Sequence, residues 1–302
     1  MLFLKHDRGT RKTAMNEFTY DSPSSIKALL ESENLAMSKR FGQNFLIDRN
    51  ARERLIEVLE ISEESSVWEI GPGIGSITSL LLEKRCRVKA FEIDYGFIRV
   101  LEGLYGRNPA FSLVAGDFLK TWEAEAEKSG KPDRIFGNLP YNAALAIIAD
   151  LLEADFVPEK MIFTVQKEAA LRIAGKPGNK DYSALSVLCS SVCDIKILYD
   201  IGASSFWPQP RVTSSVVALK PCTSPIASTD RKGFSRFVRT AFSSRRKTLK
   251  NNISHDYPVL AENLEKKLQS MNLSPSVRAE ALRPEQLWAV YESAEQNSGA
   301  KT

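Results

Sequence analysis

The segment at residues 137–142 reads Gly-Asn-Leu-Pro-Tyr-Asn and follows a predicted strand. The side-chain oxygen of Asn138 and the main-chain carbonyl of Leu139 can each accept a hydrogen bond from an amine. Pro140 restricts the turn, and Tyr141 offers an aromatic face on which a flat base can stack. These groups suit a planar base with an exocyclic amino group, whose delocalised lone pair two acceptors would draw back onto the nitrogen. The alternative is an ordinary Asn-containing turn with a packed tyrosine.

A glycine-rich turn at residues 69–75, Glu-Ile-Gly-Pro-Gly-Ile-Gly, follows an earlier predicted strand. Glycine at positions 71, 73 and 75 lets the main chain approach a ligand closely and then turn into a helix. The spacing differs from the Gly-x-Gly-x-x-Gly of dinucleotide-binding folds, because position 76 is serine. We therefore expect a nucleoside-type cofactor other than a nicotinamide dinucleotide.

Carboxylates follow the next two predicted strands. Glu92 ends the first of them and could accept hydrogen bonds from both hydroxyls of a ribose. Asp117 follows the second and could accept a hydrogen bond from the amino group of the cofactor's adenine. Either residue could instead cap a helix or fill a turn, and for Asp117 alone that interpretation is favoured. Because ligands bind at the carboxyl ends of parallel strands, the glycine turn and the two carboxylates together favour a cofactor site.

Short apolar runs alternate with helical patterns through most of the chain up to residue 219. The predicted strands are residues 66–70, 87–93, 111–115, 134–136, 160–165, 194–199 and 214–219. The predicted helices are residues 76–84, 95–104, 143–152, 167–173 and 183–191, with a further helix starting at Arg49. This alternation indicates an α/β fold in which helices cover both faces of a mostly parallel sheet.

The sequence predicts two folded domains with flanking segments. Residues 1–37 lack strong periodicity, and we expect them to be poorly ordered apart from a short helix near residues 24–33. Residues 38–221 form the predicted cofactor-binding domain. A linker rich in Pro, Ser and Thr then opens a predicted helical domain at residues 222–295, and residues 296–302 are a tail.

The composition is that of a globular protein, with 43% apolar and 26% charged residues among 302. No apolar run reaches membrane-spanning length, and the apolar start at residues 1–4 is too short for a secretion signal, so we expect a cytoplasmic protein without a membrane partner. The four cysteines form no Cys-x-x-Cys pair or Cys/His cluster, which argues against a metal site. The net charge is only +4, yet residues 231–252 hold eight basic residues and no acidic one. This favours a polyanionic partner, with a solvated helix face as the alternative.

Together the motifs resemble the KsgA-type small-subunit ribosomal RNA adenine N6,N6-dimethyltransferases. The resemblance extends from Lys39 to about Leu287. It is carried by residues 39–46, Lys-Arg-Phe-Gly-Gln-Asn-Phe-Leu, and by residues 69–75, 92–94, 116–117, 137–141, 166–168, 177–183, 206–212, 241–249 and 278–280.

The resemblance implies a class I Rossmann-like methyltransferase fold, with a mostly parallel seven-stranded sheet and a small helical C-terminal domain. It implies a monomer that transfers methyl groups from S-adenosylmethionine, without a metal, to N6 of two adjacent adenosines in the 3′-terminal hairpin of small-subunit (16S) rRNA in immature 30S subunits. The residues implied to bind the cofactor are Gln43, Asn44, Leu46, Gly71, Gly73, Glu92, Asp117 and Asn138. The residues implied to receive the base are Asn138, Leu139, Tyr141 and Phe206. The residues expected to contact RNA are Arg211, Arg245, Arg246 and Lys247.

Three alternatives share parts of this pattern. An Erm-type enzyme acting on large-subunit rRNA has both halves, but Leu139 and the Pro-Gln-Pro-Arg-Val segment at residues 208–212 favour the small-subunit family. DNA and protein amino-methyltransferases typically carry proline at the position of Leu139. A non-catalytic ribosome-assembly factor would not need Asn138 and Glu92. One departure from the family, alanine at both 143 and 144, leaves the shape of the base pocket open.

Overall fold

A computed structural model of the chain describes residues 18–35, 44–139, 143–223, 226 and 230–298. The strands are β1 (Phe45–Leu46), β2 (Ser66–Ile70), β3 (Arg87–Glu92), β4 (Phe111–Ala115), β5 (Arg134–Asn138), β6 (Lys160–Gln166), β7 (Cys193–Ile201), β8 (Phe206–Trp207) and β9 (Ser214–Pro221). The helices are α1 (Pro23–Ser32), α2 (Arg49–Leu59), α3 (Ser76–Glu83), α4 (Tyr95–Tyr105), α5 (Phe118–Ser129), α6 (Ala144–Glu153), α7 (Lys167–Ile173), α8 (Ala184–Ser190), α9 (Arg231–Ala241), α10 (Leu249–Ile253), α11 (Pro258–Ser270) and α12 (Pro284–Ser298).

A seven-stranded sheet in the order β4-β3-β2-β5-β6-β9-β7 organises the larger part of the molecule. The strands from β4 to β6 pair in parallel, and β9 runs antiparallel between β6 and β7. The α/β class and the mostly parallel seven-stranded sheet are thereby confirmed. Because β2 lies between β3 and β5, the chain leaves these central strands toward opposite sides and opens a crevice at their carboxyl ends.

Alternating side chains of the central strands supply two apolar layers, one on each face of the sheet. Phe136 and Ile162 point to the face that is covered by α2 and α3. Ile135 and Phe163 point to the opposite face, which is covered by α5, α6 and α8. Burial of both faces explains why these strands read as continuous apolar runs in the sequence.

Three elements of the sheet region were not predicted. Helix α5 is rich in Lys and Glu and buries only Phe118 and Trp122, so its apolar periodicity is weak. The two-residue strands β1 and β8 pair antiparallel, with Phe45 opposite Trp207 and Leu46 opposite Phe206. This pairing joins segments about 160 residues apart in the sequence, and no local sequence pattern predicts such a contact.

The C-terminal helices α9 to α12 enclose an apolar core of their own, which includes Phe234, Phe237 and Leu264. That core also takes in Tyr182, whose hydroxyl donates to the Leu282 carbonyl at 2.9 Å, so the helical part packs directly on the segment before α8. Strand β9 ends at Pro221, and the expected division of the chain into two domains at that residue stays a prediction.

Charged contacts fasten the end of α6 to helix α9. Glu153, the last residue of α6, accepts a hydrogen bond from the Ser235 hydroxyl at 2.7 Å and forms an ion pair with Arg239. Two residues further on, Asp155 pairs with Arg231 at 3.0 Å. These contacts fix the helical part against the helix that starts beside the candidate base segment.

The short helix expected near residues 24–33 is present as α1, and its apolar side is buried. The remaining residues of the expected N-terminal extension, 1–17 and 36–37, lie outside the described residues. No helix in the described ranges is both long and apolar enough to cross a lipid bilayer.

Candidate active site

A cleft opens at the carboxyl ends of β2, β3 and β5, where the strand order reverses. Most of the site residues expected from the sequence lie in its wall. The lining residues are Asn44, Phe45, Leu46, Glu69, Gly71, Pro72, Gly73, Ser76, Ile77, Glu92, Ile93, Phe97, Phe136, Asn138, Leu139 and Phe206.

The glycine turn between β2 and α3 has a main-chain conformation that other residues rarely adopt. Gly71, Gly73 and Gly75 have φ angles of +69°, +59° and +85°. A Cβ added at Gly71 would meet no described atom within 4 Å, so that side of the turn is open. A Cβ at Gly75 would instead lie 2.8 Å from the ring of Tyr105. The turn thus opens toward the cleft at Gly71 and packs tightly at its far end.

Glu92 ends β3 and is held by three main-chain donors. Its Oε2 accepts from Gly73 N–H at 3.0 Å, and its Oε1 accepts from Ile93 and Asp94 N–H at 2.9 Å each. Burial raises the pKa of the Glu92 carboxyl, while the main-chain hydrogen bonds lower it. A carboxylate can accept about four hydrogen bonds, so Oε2 keeps a lone pair for a further donor in the cleft.

Glu69, which the sequence singled out only as a neighbour of the glycines, is a second buried acid in this wall. It is 2% exposed and accepts a hydrogen bond from the Thr78 hydroxyl at 2.6 Å. Burial raises the pKa of its carboxyl to about 7, and the nearby charge of Glu92 acts in the same direction. A carboxylate at the buried end of a central strand is the signal that could have identified it.

Asn138 is the last residue of β5 and contacts the segment before β1. Its Nδ2 donates to the Asn44 carbonyl at 3.2 Å, which leaves the side-chain oxygen as the acceptor end of the amide. The N–H of the next residue, Leu139, donates to the Thr164 carbonyl at 3.1 Å, and the Leu139 side chain is 2% exposed. The side-chain amide of Asn138 is therefore held by the main chain before β1, and the residue that follows it is held by β6.

The pairing of β1 with β8 closes the cleft on one side. It places Leu46 opposite Phe206, and both side chains are buried in the cleft wall. Trp207 points to the other side, where its ring stacks on Phe45 with 6.4 Å between centroids. The structure thus brings Phe206 to the cleft and places Trp207 in packing.

Three expected site residues stand apart from this group. Asp117 follows β4 and accepts from the Leu119 N–H at 3.1 Å, which makes it the N-cap of α5; it is not among the described residues that line the cleft. Gln43 and Tyr141 lie outside the described residues. Their expected roles toward cofactor and base remain predictions. Conversely, Phe97 and Phe136 line the cleft although nothing in their local sequence distinguishes them from core residues.

The basic residues expected to contact RNA fall into three groups. Arg246 and Lys247 are exposed and have no ion pair with any residue that the structure describes. Arg245 pairs with Glu280 at 2.8 Å and also donates to the Lys180 carbonyl, so much of its bonding capacity is used within the fold. The exposed Arg211 precedes β9, whose first residues lie beside the carboxyl end of β6, on the same sheet edge as the cleft.

The hydrogen-bond acceptors and buried acids of the cleft fit a nucleoside-type cofactor that carries positive charge. Glu92 retains capacity for a hydroxyl donor, and the open side of Gly71 allows close approach of a ligand to the main chain. A cation bound between the glycine turn and β5 would favour the charged forms of two buried acids, Glu69 and Glu92, whose pKa values are raised by burial. S-adenosylmethionine, a sulfonium nucleoside, meets these requirements.

The raised pKa of Glu69 predicts a pH-dependent loss of stability. Its folded pKa of about 7 exceeds the ordinary value of 4.5, so the folded state retains a proton that the unfolded state loses as pH rises between these values. Relative to Glu69→Gln, which cannot ionise, the wild-type free energy of unfolding should fall by about 3 kcal/mol between pH 4 and pH 8. Urea unfolding across this range measures the difference.

Glu102→Gln, at an exposed position of α4, provides the control for removing one negative charge, and its stability should follow the wild type at every pH. Parallel curves for wild type and Glu69→Gln would show that the Glu69 carboxyl ionises in the folded protein as it does in solution.

Solved structures share this architecture. A dimethyladenosine transferase from Plasmodium falciparum superposes with a TM-score of 0.67 and 22% identity, covering 83% of this chain and 97% of that one. The 23S rRNA methyltransferase ErmE superposes with a TM-score of 0.61 and 24% identity, covering 83% and 99%. At such identities the likeness shows the fold.

Relatives with higher sequence identity show the family of the chain as well as its fold. The ribosomal RNA small subunit methyltransferase A of Treponema denticola is 47% identical over 270 residues, 87% of this chain and 91% of that protein. The protein of the same name from Borreliella afzelii is 44% identical over 234 residues, 78% and 81% of the two chains. The family model described as ribosomal RNA adenine dimethylase matches residues 34–296. The chain therefore belongs to the ribosomal RNA adenine dimethylase family.

Proposed function

We propose that this protein uses S-adenosylmethionine to dimethylate N6 of two adjacent adenosines in the 3′-terminal hairpin of small-subunit rRNA. The observation that carries the proposal is the shared cleft of Glu92 and Asn138, a cofactor-type carboxylate and a base-type amide at the carboxyl ends of neighbouring parallel strands. The names of the relatives from Treponema denticola and Borreliella afzelii support the choice of small-subunit rRNA.

The cofactor half of the cleft would hold the donor in two ways. It would bind the donor's ribose, and the protein main chain of the glycine turn would lie close to the rest of the donor. The free lone pair of Glu92 suits a ribose hydroxyl, and Gly71 and Gly73 allow the methionine part to lie against the turn. Asn44 and Leu46 also line the cleft. Asp117, the second residue after β4, could receive the adenine amino group with the carboxylate oxygen that does not cap α5. When bound, S-adenosylmethionine supplies an electrophilic methyl group on a sulfonium sulfur.

The base half would activate the acceptor nitrogen. The side-chain oxygen of Asn138 accepts one N6 hydrogen bond, and the Leu139 carbonyl is proposed to accept the other. In the first transfer, the two acceptors localise the lone pair of N6 toward the donor. As N6 bonds to the methyl group and the bond between methyl and sulfur breaks, the donor would be left as the neutral thioether S-adenosylhomocysteine, and N6 would release one proton to solvent. Phe206 in the cleft wall and Tyr141 are proposed to pack on the faces of the base. Catalysis then rests on orientation and charge placement.

The target adenines must leave their base stack to reach this cleft, because the acceptor oxygens lie at the edge of a sheet inside a walled recess. The exposed Arg211, Arg246 and Lys247 are proposed to bind the surrounding phosphates. We propose that the protein acts as a monomer in the cytoplasm and that its substrate is an immature small subunit.

The Asn138 side chain provides a direct test of the base site. Asn138→Ala should reduce methyl transfer to undermethylated small subunits by about 10²-fold or more, the usual effect of losing one oriented polar group at a reacting centre. S-adenosylmethionine binding, measured by calorimetry, should persist because Glu92 and the glycine turn are unchanged.

Asn263→Ala, on the exposed surface of α11, is the matched control and should retain wild-type turnover. Near-normal turnover of Asn138→Ala would reject the role of the amide, whereas loss of cofactor binding in that variant would show that Asn138 acts through the donor.

The exposed basic pair gives a test of the RNA surface. Replacing Arg246 and Lys247 together by alanine should weaken RNA binding and reduce the slope of log K against log salt by about 1.4 to 1.8, as expected for two lost phosphate contacts. Stability should be retained, since neither side chain has an ion pair with a described residue. Filter binding at several salt concentrations measures the slope.

Lys84→Ala with Arg107→Ala removes the same charge from the opposite edge of the sheet and is the control. An unchanged slope in the Arg246/Lys247 variant, or an equal change in the control, would place the RNA elsewhere.

A further inference from the structure

The N-terminal segment, residues 18–35, lies against the outside of the cofactor cleft. Helix α1 buries Ile26 and Leu30 in an apolar cluster with Phe45, Ile74 and Phe97. Of these, Phe45 and Phe97 also line the cleft. Substitutions that loosen this segment would therefore alter the packing of the cleft wall itself.

A pair of tyrosine hydroxyls links the same segment to the glycine turn. Tyr20 and Tyr105 are hydrogen-bonded at 2.7 Å between their oxygens. The Tyr105 hydroxyl also lies 3.4 Å from the Gly75 carbonyl, and its ring is the group that a Cβ at Gly75 would meet. The N-terminal segment thus contacts the turn through Tyr105.

Arg52 places a buried positive charge next to this wall. The residue is 4% exposed, and its Nη1 lies 3.5 Å from the carbonyl of Ser76, the first residue of α3 and part of the cleft lining. Its Nη2 forms an ion pair with Asp21 of the N-terminal segment, while its buried Nε has no hydrogen-bond partner among the described residues. Asp21 therefore supplies the carboxylate that offsets this guanidinium.

We propose that the N-terminal segment is a functional part of the cofactor site, in which Asp21 neutralises Arg52 and so permits a cationic donor to bind. The inference rests on the proposed function, since it takes the ligand to be S-adenosylmethionine. An uncompensated guanidinium beside Ser76 repels a sulfonium, and a buried charge is weakly screened by solvent. The same guanidinium has far less effect on S-adenosylhomocysteine, whose thioether sulfur is uncharged. Asp21 and Arg52 are thus positioning residues that set the preference for the methylated form.

The test compares both ligands on the full chain. Calorimetric titration with S-adenosylmethionine and with S-adenosylhomocysteine is performed on wild type, Asp21→Asn, Arg52→Gln and the double variant. Asp21→Asn should weaken S-adenosylmethionine binding by about tenfold, the order expected when one buried charge beside the cleft loses its counter-ion. S-adenosylhomocysteine binding should change by less than about threefold. The double variant, which has neither charge, should return to the wild-type ratio of the two affinities.

Arg52→Gln keeps the proposal falsifiable should Asp21→Asn not fold, because it leaves Asp21 as an unopposed anion and should shift the ratio toward S-adenosylmethionine. Glu31→Gln, on the exposed side of α1, removes one negative charge from the same segment and should leave both affinities unchanged. Equal loss of both ligands in Asp21→Asn, or an unchanged ratio in Arg52→Gln, would overturn the assignment. Failure of the wild type to bind either ligand would instead refute the proposed function.

Discussion

The hydrogen bond from Gly73 N–H to the Glu92 carboxylate is the contact on which the cleft depends. It ties the turn after β2 to the end of β3, and Glu92 is fixed in turn by the N–H groups of Ile93 and Asp94. Positive φ angles at Gly71 and Gly73 allow this main chain to curve around the carboxylate with the Gly71 side open. A small set of main-chain bonds therefore both shapes the recess and holds a buried acid within it.

Helix α6 connects the segment proposed to bind the target base with the helical part proposed to bind RNA. It begins a few residues after Asn138 and ends at Glu153, which binds Ser235 and Arg239 of α9. The helical part that carries Arg246 and Lys247 is thereby fixed relative to the amide that would receive the base. RNA held at that surface would present its adenine at a set distance from the donor, which is the kind of orientation that lowers a barrier without new chemical groups.

The sequence predicted the features whose causes are local. Apolar periodicity located the seven strands of the main sheet within a few residues, and the glycine turn with Glu92, Asn138 and Leu139 located most of the cleft. Two features set by distant contacts were missed, the β1–β8 pair and the aromatic wall formed by Phe97 and Phe136. Helix α5 was missed because its local apolar periodicity is weak. The sequence likewise showed a run of eight basic residues, but it could not show that Arg245 forms an ion pair with Glu280, which lies 35 residues later in the chain. The composition gives the number of charged residues, whereas the contacts made in the folded protein determine which of them remain available to bind RNA.

The central claim, a cleft that delivers methyl groups to small-subunit adenines, is tested most directly by a labelled-methyl assay on ribosomal subunits. Undermethylated small subunits, large subunits and labelled S-adenosylmethionine would be incubated with the purified protein, and the rRNA digested to nucleosides. We expect label in N6,N6-dimethyladenosine from small-subunit rRNA alone. Label confined to large-subunit rRNA, or label in a nucleoside other than methylated adenosine, would contradict it.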